Sequence, residues 1–213
     1  MTSTMPIDAS DVLLVIDVQN DFLPGGALAV PGGDAIVPLV NRLIKAFVQV
    51  VVTQDWHPEG HASFASSHEG AKPFDVVTMP YGEQTLWPDH CVQGAPGAAL
   101  HRALDVDSAF LILRKGVNAE VDSYSAFAEA DGKTTTGLAA LLEARGARRV
   151  FACGLATDYC VAYSALDARA AGFEAFVVDD ACRAIDAGGS LEAAWAKMNA
   201  AQVWRIQARE ILG

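Results

Sequence analysis

Apolar runs without a polar face recur along the chain, and most are followed by residues at helical spacing. Val12-Leu13-Leu14-Val15-Ile16 is the first, and its β-branched and leucine composition predicts a strand covered on both sides. It stops at Asp17. Gln19–Gly33 holds Pro24, Pro31 and four glycines, so it predicts a loop that turns repeatedly. Asp34 is placed to cap a helix in which Ile36, Val40, Leu43, Ile44 and Phe47 share a face, with Pro38 near the first turn. Further strands are predicted at Val48–Thr53, Phe110–Leu113, Val150–Cys153, Ala175–Val178 and Val203–Ile206. Helices are predicted at Leu138–Arg145, stopped by Gly146, and at Val161–Ala171, stopped by Gly172. A last one, capped by Ser190, has Leu191, Ala194, Trp195 and Met198 on one face. Strands alternating with helices specify the α/β class. The expected architecture is a three-layer α/β/α domain over 1–213 with a six-stranded, mainly parallel sheet.

In such sheets ligands bind beyond the carboxyl ends of the strands. The polar residues just past successive strands are Asp17, Asp55, Lys115, Cys160 and the pair Asp179-Asp180. Asp17 interrupts an apolar run, so it is either a partly buried proton acceptor or a loop-capping carboxylate. Lys115 either reaches solvent or lies between an aspartate and a thiol, where its charge lowers the thiol pKa. Cys160 falls in the first turn of a helix, whose free N–H groups and dipole favour a thiolate; otherwise it is a small core residue. Asp179-Asp180 has no evident partner and reads as a loop or cap.

The segment 56–97 is the least regular part, an insertion holding five prolines, four of the five histidines and one β-like run, Asp75–Met79. Irregular segments of that length are usually functional. Asp55-Trp56-His57-Pro58-Glu59-Gly60-His61 places a carboxylate and two imidazoles in one tight turn, and His90 is a further donor from Trp87-Pro88-Asp89-His90-Cys91. Such oxygen and nitrogen donors suit zinc, iron or manganese; the other reading is surface histidines. His68 and His101 read as exposed. Cys91 is a rival nucleophile without a helix N-terminus, Cys153 falls in a predicted strand, and Cys182 reads as buried or capping.

Composition removes several classes. Of 213 residues, 52% are hydrophobic and 19% charged, which excludes disorder, and a net charge of −11 disfavours nucleic acid and anionic membranes. The cysteines show no C-x-x-C spacing, no apolar run is long enough for a membrane span, and Met1–Ser10 lacks an apolar signal core. A cytoplasmic enzyme or binding domain is expected.

The ordered set Ile16-Asp17-Val18-Gln19-Asn20-Asp21-Phe22, Thr53-Gln54-Asp55-Trp56-His57-Pro58, Trp87-Pro88-Asp89-His90-Cys91-Val92, Lys115-Gly116 and Gly154-Leu155-Ala156-Thr157-Asp158-Tyr159-Cys160 resembles the isochorismatase-like cysteine hydrolases. Within them it resembles the nicotinamidase branch. The resemblance implies an amidohydrolase that converts nicotinamide to nicotinate and ammonia in NAD salvage, and pyrazinamide to pyrazinoate. It implies a catalytic triad of Asp17, Lys115 and Cys160 acting through a Cys160 thioester. It also implies an oxyanion hole of the Ala156 and Cys160 amides after a cis Leu155–Ala156 peptide. Phe22, Leu28, Trp87, Tyr124 and Leu155 become substrate contacts. Asp55, His57 and His90 become ligands of one divalent metal that anchors the pyridine ring, Zn2+ first with Fe2+ or Mn2+ as alternatives; His61 is left open. The implied partner is the small-molecule substrate, and a homo-oligomer stays open. Two other readings compete: a hydrolase of the same fold acting on a different small amide or ureide, which has no need of the Asp55/His57/His90 set, and a catalytically silent binding domain, which has no need of the triad.

Overall fold

The first predicted strand forms at Asp11–Ile16 (β1) and is buried from end to end. It sits mid-sheet because both of its faces and both of its edges can be covered only there. The structure, a computed structural model, describes residues 4–213. On one side of β1 lie β2 (Gln49–Asp55) and, beyond it, β5 (Leu111–Lys115). On the other lie β6 (Arg149–Leu155), β7 (Glu174–Arg183) and β8 (Trp204–Ile206), giving the order β5-β2-β1-β6-β7-β8. Every neighbouring pair is parallel.

Helices α1 (Val37–Ile44), α2 (Leu138–Ala144), α3 (Ala162–Ala170), α4 (Ser190–Ala200) and α5 (Arg209–Leu212) flank the sheet. Contacts link α1 to β1 and β7, and α3 to β6 and β7. Phe151 of β6 stacks on Phe176 of β7 at 4.6 Å between ring centroids, with Phe47 edge-on to Phe151 at 5.2 Å. The chain leaves β1 toward β2 and β5, then returns to the far side of β1 as β6. The switch point therefore lies between β1 and β6, where Asp17 and Cys160 emerge, and a crevice opens there.

Several local expectations are corrected. Val48 is 77% exposed and precedes β2, which instead runs on through Asp55. Likewise β5 extends through Lys115, so Asp55 and Lys115 end their strands in register with one another. Asp34 caps nothing; it lies in a 3-10 turn, Gly33–Ile36, ahead of α1. Ser190 is the first residue of α4, and its hydroxyl donates to Asp158. Asp179 and Asp180 lie within β7, where Asp179 accepts from Arg205 and Gln207 and Asp180 accepts from the Ala208 amide, so both anchor the C-terminal segment. His68 and His101 are half-buried, not exposed. Val76–Met79 (β3) pairs antiparallel with Gly82–Thr85 (β4), a strand without an apolar run to announce it. Among the described residues no helix is long and apolar enough to cross a membrane.

Candidate active site

Asp17 turns out of β1 with φ of 46°, which swings its carboxylate under the switch point. It is fully buried. Thr53 of β2 holds it from two sides: the Asp17 amide donates to Thr53 Oγ1 (3.1 Å), and that hydroxyl donates to Asp17 Oδ1 (2.6 Å). Gln19 ties the same exit to the end of β2. Its Nε2 donates to the Asp55 and Ala98 carbonyls, and its Oε1 accepts from the Asp55 amide at 2.7 Å. Gln19 lies in a stretch read as loop, and only the fold shows that it sets the spacing between Asp17 and Asp55.

Lys115 ends β5 and reaches into this space, fully buried at its side chain. An ammonium has three hydrogens to donate. Here they meet Asp55 Oδ1 at 2.5 Å, the Ser123 carbonyl at 3.0 Å and Cys160 Sγ at 3.4 Å. Asp17 Oδ2 lies 2.8 Å from Nζ as well, a fully buried ion pair. Asp17 is therefore tied to Lys115 through Oδ2 and to Thr53 through Oδ1. Asp17, Asp55 and Cys160 offer donor atoms that all lie within 4.8 Å of one another.

Cys160 lies within one turn of π-helix, Thr157–Val161, that leads into α3. Such turns inside helices are frequently functional. Ahead of it the Leu155–Ala156 peptide is cis, and Gly154 has φ of 120° where any side chain would strike the backbone of Ile16. Asp158, buried two residues before Cys160, accepts from the Ile185 and Asp186 amides and from the Ser190 hydroxyl.

The electrostatics differ from the expectation of a thiolate. Burial pushes the Cys160 thiol well up; Lys115 opposes this, and the Asp17 and Asp55 charges add to it. The resting group is the thiol. Burial also raises Asp17, against the pull of Lys115 and with a push from Asp55. Burial disfavours charge on Lys115, but Asp17 and Asp55 outweigh it and hold the ammonium protonated. Burial likewise pushes up Cys91, Cys153 and Cys182, the last to about 12, and all three are buried.

Asp55 has two faces. Oδ1 meets Lys115, while Oδ2 lies 3.7 Å from His57 Nε2 and 4.0 Å from His90 Nε2. Each of these imidazoles is oriented by a backbone carbonyl: His57 Nδ1 donates to Gly116 O (3.0 Å) and His90 Nδ1 to Pro88 O (2.8 Å). That tautomer leaves both Nε2 atoms as acceptors turned to one point, the arrangement a metal requires. Burial, reinforced by His57, lowers His90 to about 4 and keeps it neutral. Burial also works against charge on His57, but Asp55 outweighs it. For Asp55, burial is overcome by Lys115 and His57, which hold the carboxylate below the usual range. The donors of Asp55, His57 and His90 form one buried cluster that fits a divalent cation.

His61 is wired the opposite way. Its ring lies 4.3 Å from that of His57, but its Nδ1 accepts the Ser63 amide, which puts the proton on Nε2. That Nε2 is buried without a hydrogen-bond partner.

Above Cys160 a cavity is lined by Phe22, Leu28, Trp87, Tyr124, Ala156 and Cys160, together with Asp55, His57 and His90. Asp122 and Ile185 line it too, unmarked in their local sequence, as does Tyr159 from the Gly154–Cys160 motif. Tyr159 stands edge-on to Trp87 at 4.9 Å. Leu155 stays outside the lining; it is fully buried, with Cδ1 toward Gly33. Lys115 and Asp17 lie beneath the floor.

Residues 11–210 match the model of the isochorismatase domain family. The chain is 56% identical to the nicotinamidase of Acinetobacter baylyi over 94% of each sequence. Among solved structures, PnC1 from L. infantum in complex with nicotinate superposes with a TM-score of 0.86 at 40% identity, covering 98% of both chains. The pyrazinamidase of Pyrococcus horikoshii in complex with zinc gives a TM-score of 0.75 at 37% identity, over 93% of this chain and 99% of that one.

Proposed function

The chain belongs to the isochorismatase family and hydrolyses the carboxamide of nicotinamide to nicotinate and ammonia; we propose the route by which its buried residues do so. The observation that carries the proposal is the buried Asp17–Lys115–Cys160 arrangement: Lys115 Nζ lies 2.8 Å from Asp17 Oδ2 and 3.4 Å from Cys160 Sγ. One ammonium thus bridges the carboxylate and the sulfur, and donor atoms of Asp17 and Cys160 lie within 4.8 Å of each other. Asp17 is thereby within reach of the Cys160 proton.

Asp17 takes the Cys160 proton as the sulfur attacks the carboxamide carbon. The charge that develops on the carbonyl oxygen falls to the Ala156 and Cys160 amides, at the turn after the cis peptide. Asp17 returns the proton to the nitrogen, the C–N bond breaks and ammonia leaves a thioester on Cys160. Water enters and gives a proton to Asp17. The resulting hydroxide displaces the sulfur, and the carboxylic acid departs as Asp17 hands its proton to the Cys160 thiolate and restores the thiol. Throughout, Lys115 supplies the one positive charge among Asp17, Asp55 and Cys160, so neither the carboxylate nor the transient thiolate stands without a cation beside it.

Asp55, His57 and His90 are the residues that would hold a divalent cation, Zn2+ by the donor set and by the zinc in the Pyrococcus relative. Bound there, a cation would supply a Lewis acid for the pyridine nitrogen. Phe22, Leu28, Trp87, Tyr124 and Tyr159 enclose that ring and exclude water.

The test is ammonia release from nicotinamide by the metal-loaded protein and by Cys160→Ala. Release by the first and none by the second is expected. No release by the first would end the reading.

A further inference from the structure

The β3–β4 hairpin stands apart from the main sheet, and of its eight strand residues one alone, Gln84, is buried. A surface hairpin normally buries an apolar side chain to hold itself down. This one buries a primary amide, 1% exposed, and the amide is satisfied. Gln84 Nε2 donates to the Thr85 carbonyl (2.7 Å) and to Asp122 Oδ2 (2.8 Å), and lies 3.0 Å from the Tyr124 hydroxyl. Its Oε1 accepts from Tyr81 (3.2 Å). The carboxylate partner fixes which end of the amide is the nitrogen. Trp87 Nε1 meets the same Tyr124 oxygen at 3.0 Å.

Tyr124, Trp87 and Asp122 all line the cavity above Cys160, whereas Gln84 does not. We infer that Gln84 is a positioning residue for ring recognition: the hairpin inserts it behind the pocket so that one amide sets the mutual placement of Tyr124, Trp87 and Asp122. This rests on the reading of that cavity as the nicotinamide site. Trp87 and Tyr124 sit edge-to-face at 6.3 Å, the long end of such contacts, and each also packs on Tyr159, at 4.9 and 5.6 Å. Ring packing fixes distance better than rotation, and the contacts of Trp87 Nε1 and Gln84 Nε2 at the Tyr124 oxygen add direction. Gln84 touches no group that moves a proton in the proposed route. Its loss is therefore felt in binding of the ring and not in the chemical step.

The experiment compares wild type, Gln84→Leu and Gln84→Glu, each metal-loaded, for KM and kcat with nicotinamide and for the inhibition constant of nicotinate. Gln84→Leu removes the donors at similar volume. Gln84→Glu sets an acceptor against Asp122 and Tyr124 and keeps the shape. We expect KM and the nicotinate constant to rise together by about tenfold in Gln84→Leu, and further in Gln84→Glu, the size of one lost directed contact. kcat should stay within about threefold, as for a loss of binding that is uniform along the reaction. Unchanged KM and inhibition constant in a folded variant overturn the inference, as does a fall in kcat at constant KM. If Gln84→Leu does not fold, Gln84→Glu is judged by the same readings. Inactive wild type would sink the proposed activity itself, and that result is distinct from every outcome for Gln84.

Discussion

Lys115 Nζ lies 2.5 Å from Asp55 Oδ1 and 2.8 Å from Asp17 Oδ2, so one ammonium joins Asp17 to the Asp55, His57 and His90 cluster. The other oxygen of Asp55 faces His57 and His90. The two halves of the site therefore share a carboxylate, and its charge is balanced from the Lys115 side before any cation arrives.

Replacing Lys115 should damage stability and turnover together. Lys115→Met leaves Asp17 and Asp55 buried without their cation, a loss of about 3–5 kcal/mol for a broken buried pair. Urea unfolding checks this. Ammonia release should fall by at least about a hundredfold, and Lys115→Arg should not restore it, because a planar fork does not fit a pocket built round a point charge. A Lys115→Met protein as stable and as fast as wild type would contradict the shared-cation arrangement.

Cys160→Ala and Asp17→Asn should fail at different points. The first has no nucleophile and forms no thioester. The second keeps the sulfur but loses the proton acceptor, with kcat down by about 10²–10⁴. Intact mass measured after rapid quench separates them: an acyl adduct in wild type, much less in Asp17→Asn, none in Cys160→Ala. An adduct in Cys160→Ala would place the covalent step elsewhere.

Acidity should move rate and stability in opposite directions through Asp17. Burial raises its pKa above the usual 3.8, with Lys115 opposing. Between the usual value and the raised one, the folded state keeps a proton that the unfolded chain has released, so this group's contribution to stability declines as pH rises through that window. The deprotonated form is the catalytic one, so kcat/KM climbs over the same window. Asp17→Asn should lack both effects. Thermal unfolding and kcat/KM, each measured across the acid range, test this; a wild type whose difference in stability from Asp17→Asn grows with pH there would reverse the assigned shift.

Metal content should follow the tautomers. His57→Ala and His90→Ala remove ligand-ready Nε2 atoms, and elemental analysis should show the metal lost. His61→Ala should retain it, because Nδ1 of His61 accepts a hydrogen bond and its Nε2 carries the proton. Gly116→Ala is the indirect case. A Cβ there would lie 2.5 Å from His57 Cε1 and 2.6 Å from Nδ1, and φ is 65°. The ring must turn away, so the variant should bind metal at least about tenfold more weakly, as for lost orienting contacts. Full metal retention by Gly116→Ala would show that the Gly116 carbonyl does not orient His57.

Much of this was legible before any coordinates. A parallel strand buried on both faces writes itself as an unbroken apolar run, and the residue that breaks it marks the strand's end. Asp17 was found that way. Cys160 was placed by the strand-turn-helix pattern around it, and Asp55, His57 and His90 by donor chemistry at short spacing together with the family resemblance. Each of these signals is local, carried by residues within a few positions of one another.

What stayed hidden depends on register and on distance through space. The thiol of Cys160 was expected to ionise because a helix N-terminus and a lysine favour the anion; burial and two carboxylates, supplied from β1 and β2, reverse that. Asp122, Ile185 and Gln84 have ordinary neighbours in the chain; Gln19 and Tyr159 lie inside motif segments, yet their contacts come only from the fold, one of them for Gln19 from a carbonyl 79 positions away. The sequence alone determined which chemical groups are present and which strand ends carry them. Tertiary structure alone decided that one buried ammonium is shared among Asp17, Asp55, Ser123 and Cys160. A chain can encode a side chain's identity locally, but hydrogen-bond allotment and desolvation are properties of the packed surroundings.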